Sequence, residues 1–285
     1  MNWREFQSMQ QRVAQLGDRF ISYLDEGTGE PVILIHGIPV WGYLWHALTP
    51  ALAKQNRVLA PDLLGFGYSD KSDCFDRSIA RQAEVIDAWM DKIGIKRAHI
   101  VAHDIGGGVA LRLATLFPHR VMRLCVMNTV CYDSWPIEAM LQFGHPETRR
   151  KLSAASAITM LKQALKQGFA KSPDDELLDS LLVPYTTEVG KLSLIRNAAA
   201  LNTNLTTEIT ALLPKIEAPT LILWGEDDLF QLVKYGERLA RDIPGAQLVR
   251  VKDARHFLML DQPDEVAEHV SAFLKGEQVE TAHAG

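Results

Sequence analysis

The stretch Ala102-His103-Asp104-Ile105-Gly106-Gly107 has the residue types of a turn that presents a catalytic nucleophile, with an aspartate at its centre. A β-branched apolar run precedes it and helical apolar spacing follows it, which predicts a strand, a tight turn and a helix. Small residues two positions before and after Asp104 fit such a turn, because a strained strand-to-helix corner leaves no room for bulk. An aspartate there is also a common helix N-cap, so the rest of the chain has to decide between the two roles.

Two further stretches offer an acid and a base after predicted strands, in the chain order nucleophile, acid, base. The run Trp224-Gly225-Glu226-Asp227-Asp228 contains three carboxylates, of which we select Asp228, although spacing alone leaves its two neighbours open. His256 follows the last predicted strand, where it could take a proton from water while Asp228 orients its ring. A lone histidine is more often structural, but three such groups at three strand ends make coincidence the weaker explanation.

The stretch His36-Gly37-Ile38-Pro39 follows another predicted strand, and Gly37 there lets the backbone approach a ligand closely. The main-chain N–H groups of Ile38 and Ile105 would then point at one position, which predicts an oxyanion hole. The alternative interpretation is an ordinary loop whose turn is fixed by proline.

Apolar runs alternate with helical patterns along most of the chain, which predicts an α/β fold with a mostly parallel, doubly wound sheet and helices on both faces. The predicted strands are residues 20–25, 32–36, 57–61, 98–102, 124–128, 220–224 and 246–251. The predicted helices of this core are residues 44–54, 79–93, 107–117 and 233–241.

The alternation stops over residues 132–213, where helical stretches punctuated by prolines occur without a convincing strand. The clearest helix there spans residues 154–169 and has apolar residues spaced for one face. We interpret the region as a helical cap inserted after the strand near 122–128, above the crevice in which α/β sheets bind ligands. The predicted domains are the core in two parts, residues 1–131 and 214–285, and the cap, residues 132–213.

Composition excludes several classes of protein. The 285 residues are 47% hydrophobic and 23% charged, close to the average of soluble globular proteins. A net charge of −5 gives no basic surface for nucleic acid, and no run is long enough to span a membrane. The three cysteines lack the spacing of a metal site and the density of a disulfide scaffold, so we expect a cytoplasmic protein. We also expect a small-molecule substrate and a monomer or homodimer.

These motifs together resemble those of the α/β-hydrolase superfamily, and the resemblance covers nearly the whole chain. The motifs that carry it are His36-Gly37-Ile38-Pro39, Asp62-Leu63-Leu64-Gly65-Phe66-Gly67-Tyr68-Ser69-Asp70, Ala102-His103-Asp104-Ile105-Gly106-Gly107, Gly225-Glu226-Asp227-Asp228 and His256-Phe257. An aspartate at the turn, combined with His-Gly-x-Pro, is similar to the epoxide hydrolases and the haloalkane dehalogenases, which use a carboxylate nucleophile. Asp62 belongs to a structural loop in these families and receives no catalytic role.

The resemblance implies a covalent mechanism. An sp3 carbon that bears a leaving group is opened by in-line attack, and an aspartate is ionised at neutral pH without a general base. Asp104 would form an alkyl ester, whose carbonyl carbon is then attacked by a water that His256 deprotonates. The N–H groups of Ile38 and Ile105 would stabilise the oxyanion of this second step. The mechanism requires no metal and no organic cofactor.

The choice of substrate depends on how the leaving group is held. Haloalkane dehalogenases place a tryptophan directly after the nucleophile, and one large subgroup adds an asparagine after His-Gly. Ile105 and Ile38 stand at these positions and have no side-chain donor for a halide. Fluoroacetate dehalogenases are also similar, but they place arginines where Ile105 and Gly108 stand, and their acid where Asn128 stands.

Epoxide hydrolases activate the ring oxygen from the cap, generally with tyrosines or a histidine, and need only main-chain donors at positions 38 and 105. We therefore predict a hydrolase of a small, largely apolar epoxide, with a haloalkane or haloacid dehalogenase as the alternative. Less favoured are a non-catalytic ligand receptor and a cofactor-free oxygenase on the same fold. The candidate substrate-binding residues are Trp41, His103, Tyr132, Trp135 (a cavity wall or halide donor), His145 and Tyr185.

Overall fold

The computed structural model describes residues 1–9 and 11–278. Its strands are β1 (Gln11–Leu16), β2 (Arg19–Glu26), β3 (Glu30–Ile35), β4 (Asn56–Pro61), β5 (Ala98–His103), β6 (Val121–Met127), β7 (Thr220–Gly225) and β8 (Gln247–Val251). Its helices are α1 (Trp3–Ser8), α2 (Thr49–Leu52), α3 (Ile79–Lys92), α4 (Ile105–Leu116), α5 (Glu138–Gly144), α6 (Pro146–Lys151), α7 (Ala154–Lys166), α8 (Asp175–Leu182), α9 (Glu188–Ala199), α10 (Asn204–Thr207), α11 (Val233–Asp242), α12 (Leu258–Asp261) and α13 (Pro263–Lys275). Among the described residues, none of these helices has the length and apolar character needed to cross a membrane.

The strands of the described residues form one sheet in the order β1-β2-β4-β3-β5-β6-β7-β8. β2 pairs antiparallel with β1 and with β4, whereas all the later neighbours pair in parallel. Every residue of the central strand β5 is buried, as expected for a strand covered on both faces. The mostly parallel sheet predicted from the sequence is confirmed.

The chain reverses its direction across the sheet at β3 and β5. It leaves β3 through α2 for β4 on one side, and then crosses back through α3 to β5 on the other side. Because such crossovers are right-handed, the reversal puts α2 and α3 on opposite faces, and α2 indeed packs on α13 while α3 packs on α4. Sheets of this kind bind ligands where the connections diverge in this way. Ile38 follows β3 and Asp104 follows β5, so both lie at this point.

Helices α5 to α10 occupy the segment between β6 and β7, as the sequence predicts. Within it, α5 packs on α9, and α7 buries Ala157, Leu161 and Leu165 along one face. We refer to this segment, residues 138–215, as the cap helices. The exact division of the chain into domains at residues 132 and 213 stays a prediction.

Two elements differ from the sequence-based prediction. The prediction of a helix over residues 44–54 is wrong, because a 3-10 turn (Gly42–Trp45) and the short α2 occupy this region. Pro50 explains the interruption, since a continuous helix would need the N–H that proline lacks. Strand β1 has no counterpart among the predicted strands, because it is an edge strand in which only Ala14 is buried and no apolar alternation marks it.

The Asp62 carboxylate organises the loop after β4. It accepts hydrogen bonds from the N–H groups of Gly42 and Tyr68, each at 2.7 Å. Burial raises the pKa of Asp62 to about 6. Its two oxygens are thus occupied by main-chain donors, which supports the structural role implied by the resemblance.

Candidate active site

Asp104 lies at the sharp turn between β5 and α4 with a φ of 54° and a ψ of −124°. Non-glycine residues rarely adopt this strained region, which is found mostly where a side chain must be presented for function. The turn requires small neighbours, because a Cβ on Gly106 would overlap the main-chain oxygens of Ile35 and His36. A Cβ on Gly37 would lie 2.5 Å from Oδ1 of Asp104. The Asp104 side chain makes no N-cap hydrogen bond, so the helix-cap alternative does not describe it.

The two carboxylate oxygens of Asp104 face different partners. The N–H of Ile38 donates to Oδ1 at 2.8 Å, and the N–H of Ile105 also hydrogen-bonds to the carboxylate. Oδ2 lies 3.7 Å from Nε2 of His256. The structure therefore brings Ile38, Ile105 and His256 around Asp104, with Oδ1 in the predicted oxyanion hole and Oδ2 on the side of the histidine.

His256 lies between two carboxylates. Its Nδ1 is 2.9 Å from Oδ2 of Asp228, while its Nε2 faces Asp104. Asp228 is only 3% exposed, whereas Glu226 and Asp227 point to solvent. Of the three adjacent carboxylates that the sequence offers, Asp228 is thus the one that contacts the histidine.

Two hydrogen bonds hold the Asp228 carboxylate in place. The Nδ2 group of Asn128 donates to Oδ2, while Oδ1 of Asn128 accepts from the N–H of Gly225 at 3.1 Å. The N–H of Phe230 donates to Oδ1 of Asp228 at 2.7 Å. Sequence reasoning considered Asn128 only as the place where some relatives carry their acid, and so missed it as a support for Asp228. Its position directly after β6 is the signal that could have revealed this role.

The charges of the site shift the pKa values of its groups in a consistent way. Burial lowers the pKa of His256, but the charge and hydrogen bond of Asp228 and the charge of Asp104 together outweigh this, so the pKa is raised. Burial also raises the pKa of Asp104, against the opposing effects of His256 and the two main-chain N–H groups. Protonation of the imidazole is therefore favoured while Asp104 is charged, and becomes less favourable when that charge disappears.

A cavity of about 110 Å³ opens onto Asp104 and His256 between the sheet and the cap helices. An engineered cavity of roughly 150 Å³ holds benzene, so this smaller one matches a molecule of fewer heavy atoms than benzene. Most of its wall is apolar, and includes Ile137, Met140, Leu161, Ala164, Leu165, Leu201 and Phe257. The polar or N–H-bearing side chains on the wall are Asp104, Trp135, Gln167, Gln231 and His256. Gln231 is absent from the sequence-based candidates, because nothing in its loop marks it as inward-facing.

Of the six side chains that the sequence suggested for substrate binding, Trp135 alone is among the described residues that line this cavity. The structure places the two tyrosines away from the cavity, and their hydroxyls have other partners. Tyr132 donates to Oδ2 of Asp242 at 2.6 Å. Tyr185 is fully buried, donates to the carbonyl of Val40 at 3.0 Å and accepts from the N–H of Gly67. Both tyrosines thus have structural contacts outside the cavity.

Trp41, His103 and His145 also do not line the cavity. The Nε1 group of Trp41 donates to the carbonyl of Ser180 at 2.9 Å. His145 lies at the surface and caps the start of α6. His103 lies behind His256 and donates from Nε2 to the carbonyl of that residue at 2.9 Å. His103 therefore contacts His256 and does not line the cavity.

Trp135 lines the cavity, but its N–H is already engaged. Nε1 donates to Oγ1 of Thr206 at 2.7 Å, in a buried hydrogen bond to a residue of the cap helices. Thr206 donates in turn to the carbonyl of Tyr132 at 2.6 Å. Trp135 thus fits the predicted wall of the cavity, whereas its predicted second role as a halide donor is not supported by this geometry.

The chain has relatives over nearly its whole length. Residues 30–263 match the family model described as alpha/beta hydrolase fold. A cis-3-alkyl-4-alkyloxetan-2-one decarboxylase of Shewanella oneidensis is 29% identical, over 89% of this chain and 85% of that protein. A haloalkane dehalogenase of Mycobacterium marinum is 30% identical, over 87% of this chain and 86% of that protein. The crystal structure of an alpha/beta hydrolase fold protein from Burkholderia ambifaria is 28% identical with a TM-score of 0.84, covering 92% of this chain and 99% of that one.

Proposed function

Because the chain belongs to the α/β-hydrolase fold family, we propose that Asp104, His256 and Asp228 carry out hydrolysis through an alkyl ester on Asp104. The observation that carries the proposal is the orientation of the Asp104 carboxylate. Oδ1 accepts from Ile38 N–H at 2.8 Å and Oδ2 faces His256. In a serine-type hydrolase these donors would bind an oxygen of the substrate, whereas here they bind the nucleophile itself. This arrangement suits hydrolysis of an ester whose carbonyl carbon is Cγ of Asp104.

In the first step, Oδ2 of Asp104 attacks an sp3 carbon in line with its bond to the leaving group. A new C–O bond forms, the bond to the leaving group breaks, and the leaving group departs with the electron pair. The carboxylate thereby becomes a neutral ester. Because the charge of Asp104 contributes to the raised pKa of His256, its loss makes the imidazole more readily neutral when a base is needed.

In the second step, His256 activates water. Nε2 takes a proton while the water oxygen attacks Cγ of Asp104, and the oxyanion that forms on Oδ1 is stabilised by Ile38 and Ile105 N–H groups. Asp228 stabilises the imidazolium. Collapse of the intermediate breaks the bond between Cγ and the alkyl oxygen. The departing oxygen takes the proton from His256, which releases an alcohol and leaves Asp104 as a carboxylic acid. Loss of that proton to solvent restores the carboxylate.

The leaving group decides the substrate class. Opening an epoxide produces a strongly basic alkoxide, which needs a proton donor in the cavity. Among the described residues on the cavity wall there is no tyrosine, and His256 is the one histidine. The donors that the sequence suggested for an epoxide, Tyr132, Tyr185 and His145, have contacts elsewhere. This geometry supports a weakly basic leaving group more than the epoxide that the sequence favoured.

We therefore favour a small haloalkane as the substrate, since a halide departs without a proton. The apolar cavity of about 110 Å³ accommodates a short alkyl chain. The 30% identical relative from Mycobacterium marinum is named a haloalkane dehalogenase, which supports this choice.

An oxetan-2-one is a second candidate. Attack of Asp104 on the sp3 ring carbon that bears the ring oxygen would break that C–O bond and leave a weakly basic carboxylate. Because ring strain assists this step, the absence of a side-chain halide donor at Ile38 and Ile105 is a smaller handicap than it is for a haloalkane. The relative from Shewanella oneidensis has a substrate of this kind in its name.

Turnover of a substrate panel distinguishes these classes. The protein and an Asp104→Ala variant are incubated with short 1-bromoalkanes and 1-chloroalkanes, the matching terminal epoxides and short dialkyl oxetan-2-ones. We expect halide and alcohol in equal amounts from the native protein alone. Carboxylic acid or alkene formed from the oxetanones would identify an oxetan-2-one as the substrate. Formation of a diol would identify an epoxide, and oxygen uptake would indicate an oxygenase. Binding without turnover of any class would point to a receptor and contradict the proposal.

A further inference from the structure

The loop after Asp228 buries a glutamine and exposes the leucines on either side. Gln231 is 2% exposed, whereas Leu229 is 58% exposed and Leu232 is 46% exposed. A surface loop normally does the reverse, because burying leucine is favourable and burying an amide is costly. Local departures of this kind from the usual pattern are expected at functional sites.

The main chain around Gln231 is held by hydrogen bonds, but the oxygen of its side-chain amide has no partner. The Nε1 group of Trp224 donates to the Gln231 carbonyl at 2.8 Å, and Phe230 N–H donates to Asp228 at 2.7 Å. Oε1 of Gln231 is buried and finds no hydrogen-bond partner among the described residues. Since buried polar atoms are almost always paired, an unpaired amide oxygen here indicates that the end of this side chain is a position for a ligand.

Gln231 lines the same cavity as Asp104 and His256. Its neighbour Phe230 lies edge-on to His256, with ring centroids 5.2 Å apart, and lines the same cavity. Asp104 and His256 are used in the reaction, and the Trp135 N–H is bonded to Thr206. Of the two glutamines on the wall, Gln231 is buried and Gln167 is exposed. The amide of Gln231 is therefore the buried polar group of this wall that the mechanism has not used.

We propose that Gln231 determines specificity by donating an N–H of its amide to the leaving group as it departs from the substrate carbon. The inference rests on the proposed function and identifies the donor that Ile38 and Ile105 lack. An amide carries two donors and one acceptor, and half a turn about its last bond exchanges them. A departing halide or carboxylate gains a full negative charge, so the hydrogen bond strengthens as the carbon–leaving group bond breaks.

The test isolates the alkylation step. In a His256→Gln background, which is designed to stop hydrolysis, the rate of adduct formation is measured by quenching and intact-protein mass spectrometry with 1-chloro-, 1-bromo- and 1-iodoalkanes of one chain length. Gln231→Met keeps the size of the side chain and removes the donors. We expect alkylation to slow by about 10- to 100-fold, the range for a hydrogen bond to a charged group, with the largest loss for chloride.

Two further variants complete the design. Gln231→Glu keeps the shape but removes the donors and adds negative charge, so we expect a loss at least as large as in Gln231→Met. Gln163→Met, on the exposed face of α7, is the matched control and should alkylate at the parent rate. Alkylation at the parent rate in Gln231→Met, or an equal loss for all three halides, would overturn the role of Gln231. If instead the His256→Gln parent forms no adduct with any halide or oxetanone, the proposed function itself fails.

Discussion

The core and the cap helices contribute to one cavity, but they position their side chains differently. Asp104 follows directly on β5, and Asn128 and Asp228 lie within three residues of the ends of β6 and β7. Because parallel strands end at one edge of the sheet, residues just beyond those ends converge. A residue on a cap helix can face the cavity, the core, another helix or solvent, and its packing decides which. The positions of the side chains at the strand ends are thus determined by the fold, whereas packing decides which cap side chains face the cavity.

Removing the proposed nucleophile should have the largest effect of any single change. Asp104→Ala takes away the attacking oxygen, and no other carboxylate in the cavity wall can replace it among the described residues. We expect turnover of the best substrate to fall by about four orders of magnitude or more. Initial rates are measured beside the circular dichroism spectrum, which should be unchanged. Turnover that survives would mean that the strand-end carboxylate is not the nucleophile.

Acidification should separate the two chemical steps. Alkylation needs ionised Asp104, whose pKa is raised by burial. Hydrolysis needs neutral His256, whose protonated form Asp228 still favours against burial after the ester has removed the charge of Asp104. As the pH falls, His256 is protonated first, so hydrolysis stops while alkylation continues. The alkyl-enzyme should then accumulate at mildly acidic pH, measured by acid quenching and intact mass. Accumulation at alkaline pH instead would contradict the assigned roles.

Removing the support of the catalytic acid should have an intermediate effect. Asn128→Ala deletes the donor to Asp228 and leaves Gly225 N–H without its acceptor. We expect hydrolysis of the ester to slow by about 10- to 100-fold, since the lost bond is to a charged group. The alkylation burst should keep its rate, which a general loss of structure would not allow. Asn204→Ala, at an exposed position of α10, is the control and should behave as the native protein. An equal loss in both steps would show that Asn128 does not act through Asp228.

A cap tyrosine should matter for stability and little for turnover. Tyr185→Phe removes the hydroxyl that donates to Val40 and accepts from Gly67, and leaves a buried carbonyl unpaired. We expect the free energy of unfolding to fall by about 1–3 kcal/mol, measured by denaturant titration. The substrate panel should be turned over at nearly the native rate. A large loss of turnover with unchanged stability would show that the hydroxyl contacts the substrate, and would make an epoxide the favoured substrate.

The predicted site residues that the structure brings together share one property, namely that each lies within about five residues of the end of a predicted strand. The order of the strands places Asp104 and Ile38 at the reversal point of the sheet, whatever the packing of the surrounding side chains. The α/β-hydrolase fold predicted from the sequence is confirmed by the order of the strands and by the family match. The helix predicted over residues 44–54 shows the limit even in the core, because one proline divides it.

The cap side chains could not be located from sequence, because helical periodicity does not say which neighbour a polar atom finds. Trp135 reaches the cavity wall, yet its N–H is taken by Thr206, which lies 71 positions further along the chain. Gln231 presents the opposite problem. A glutamine between leucines in a loop is expected to face solvent, and here it faces inward. In both cases, contacts between distant segments decide the outcome.

The most direct test of the covalent mechanism is the intact mass of a His256→Gln variant after exposure to a short 1-bromoalkane. The variant keeps Asp104 and its two main-chain donors but lacks the base that activates water. We expect one alkyl increment, mapped by peptide digestion to Asp104, and none in the Asp104→Ala, His256→Gln double variant. An unmodified His256→Gln protein, under conditions in which the native protein turns over the same bromoalkane, would contradict a covalent ester on Asp104.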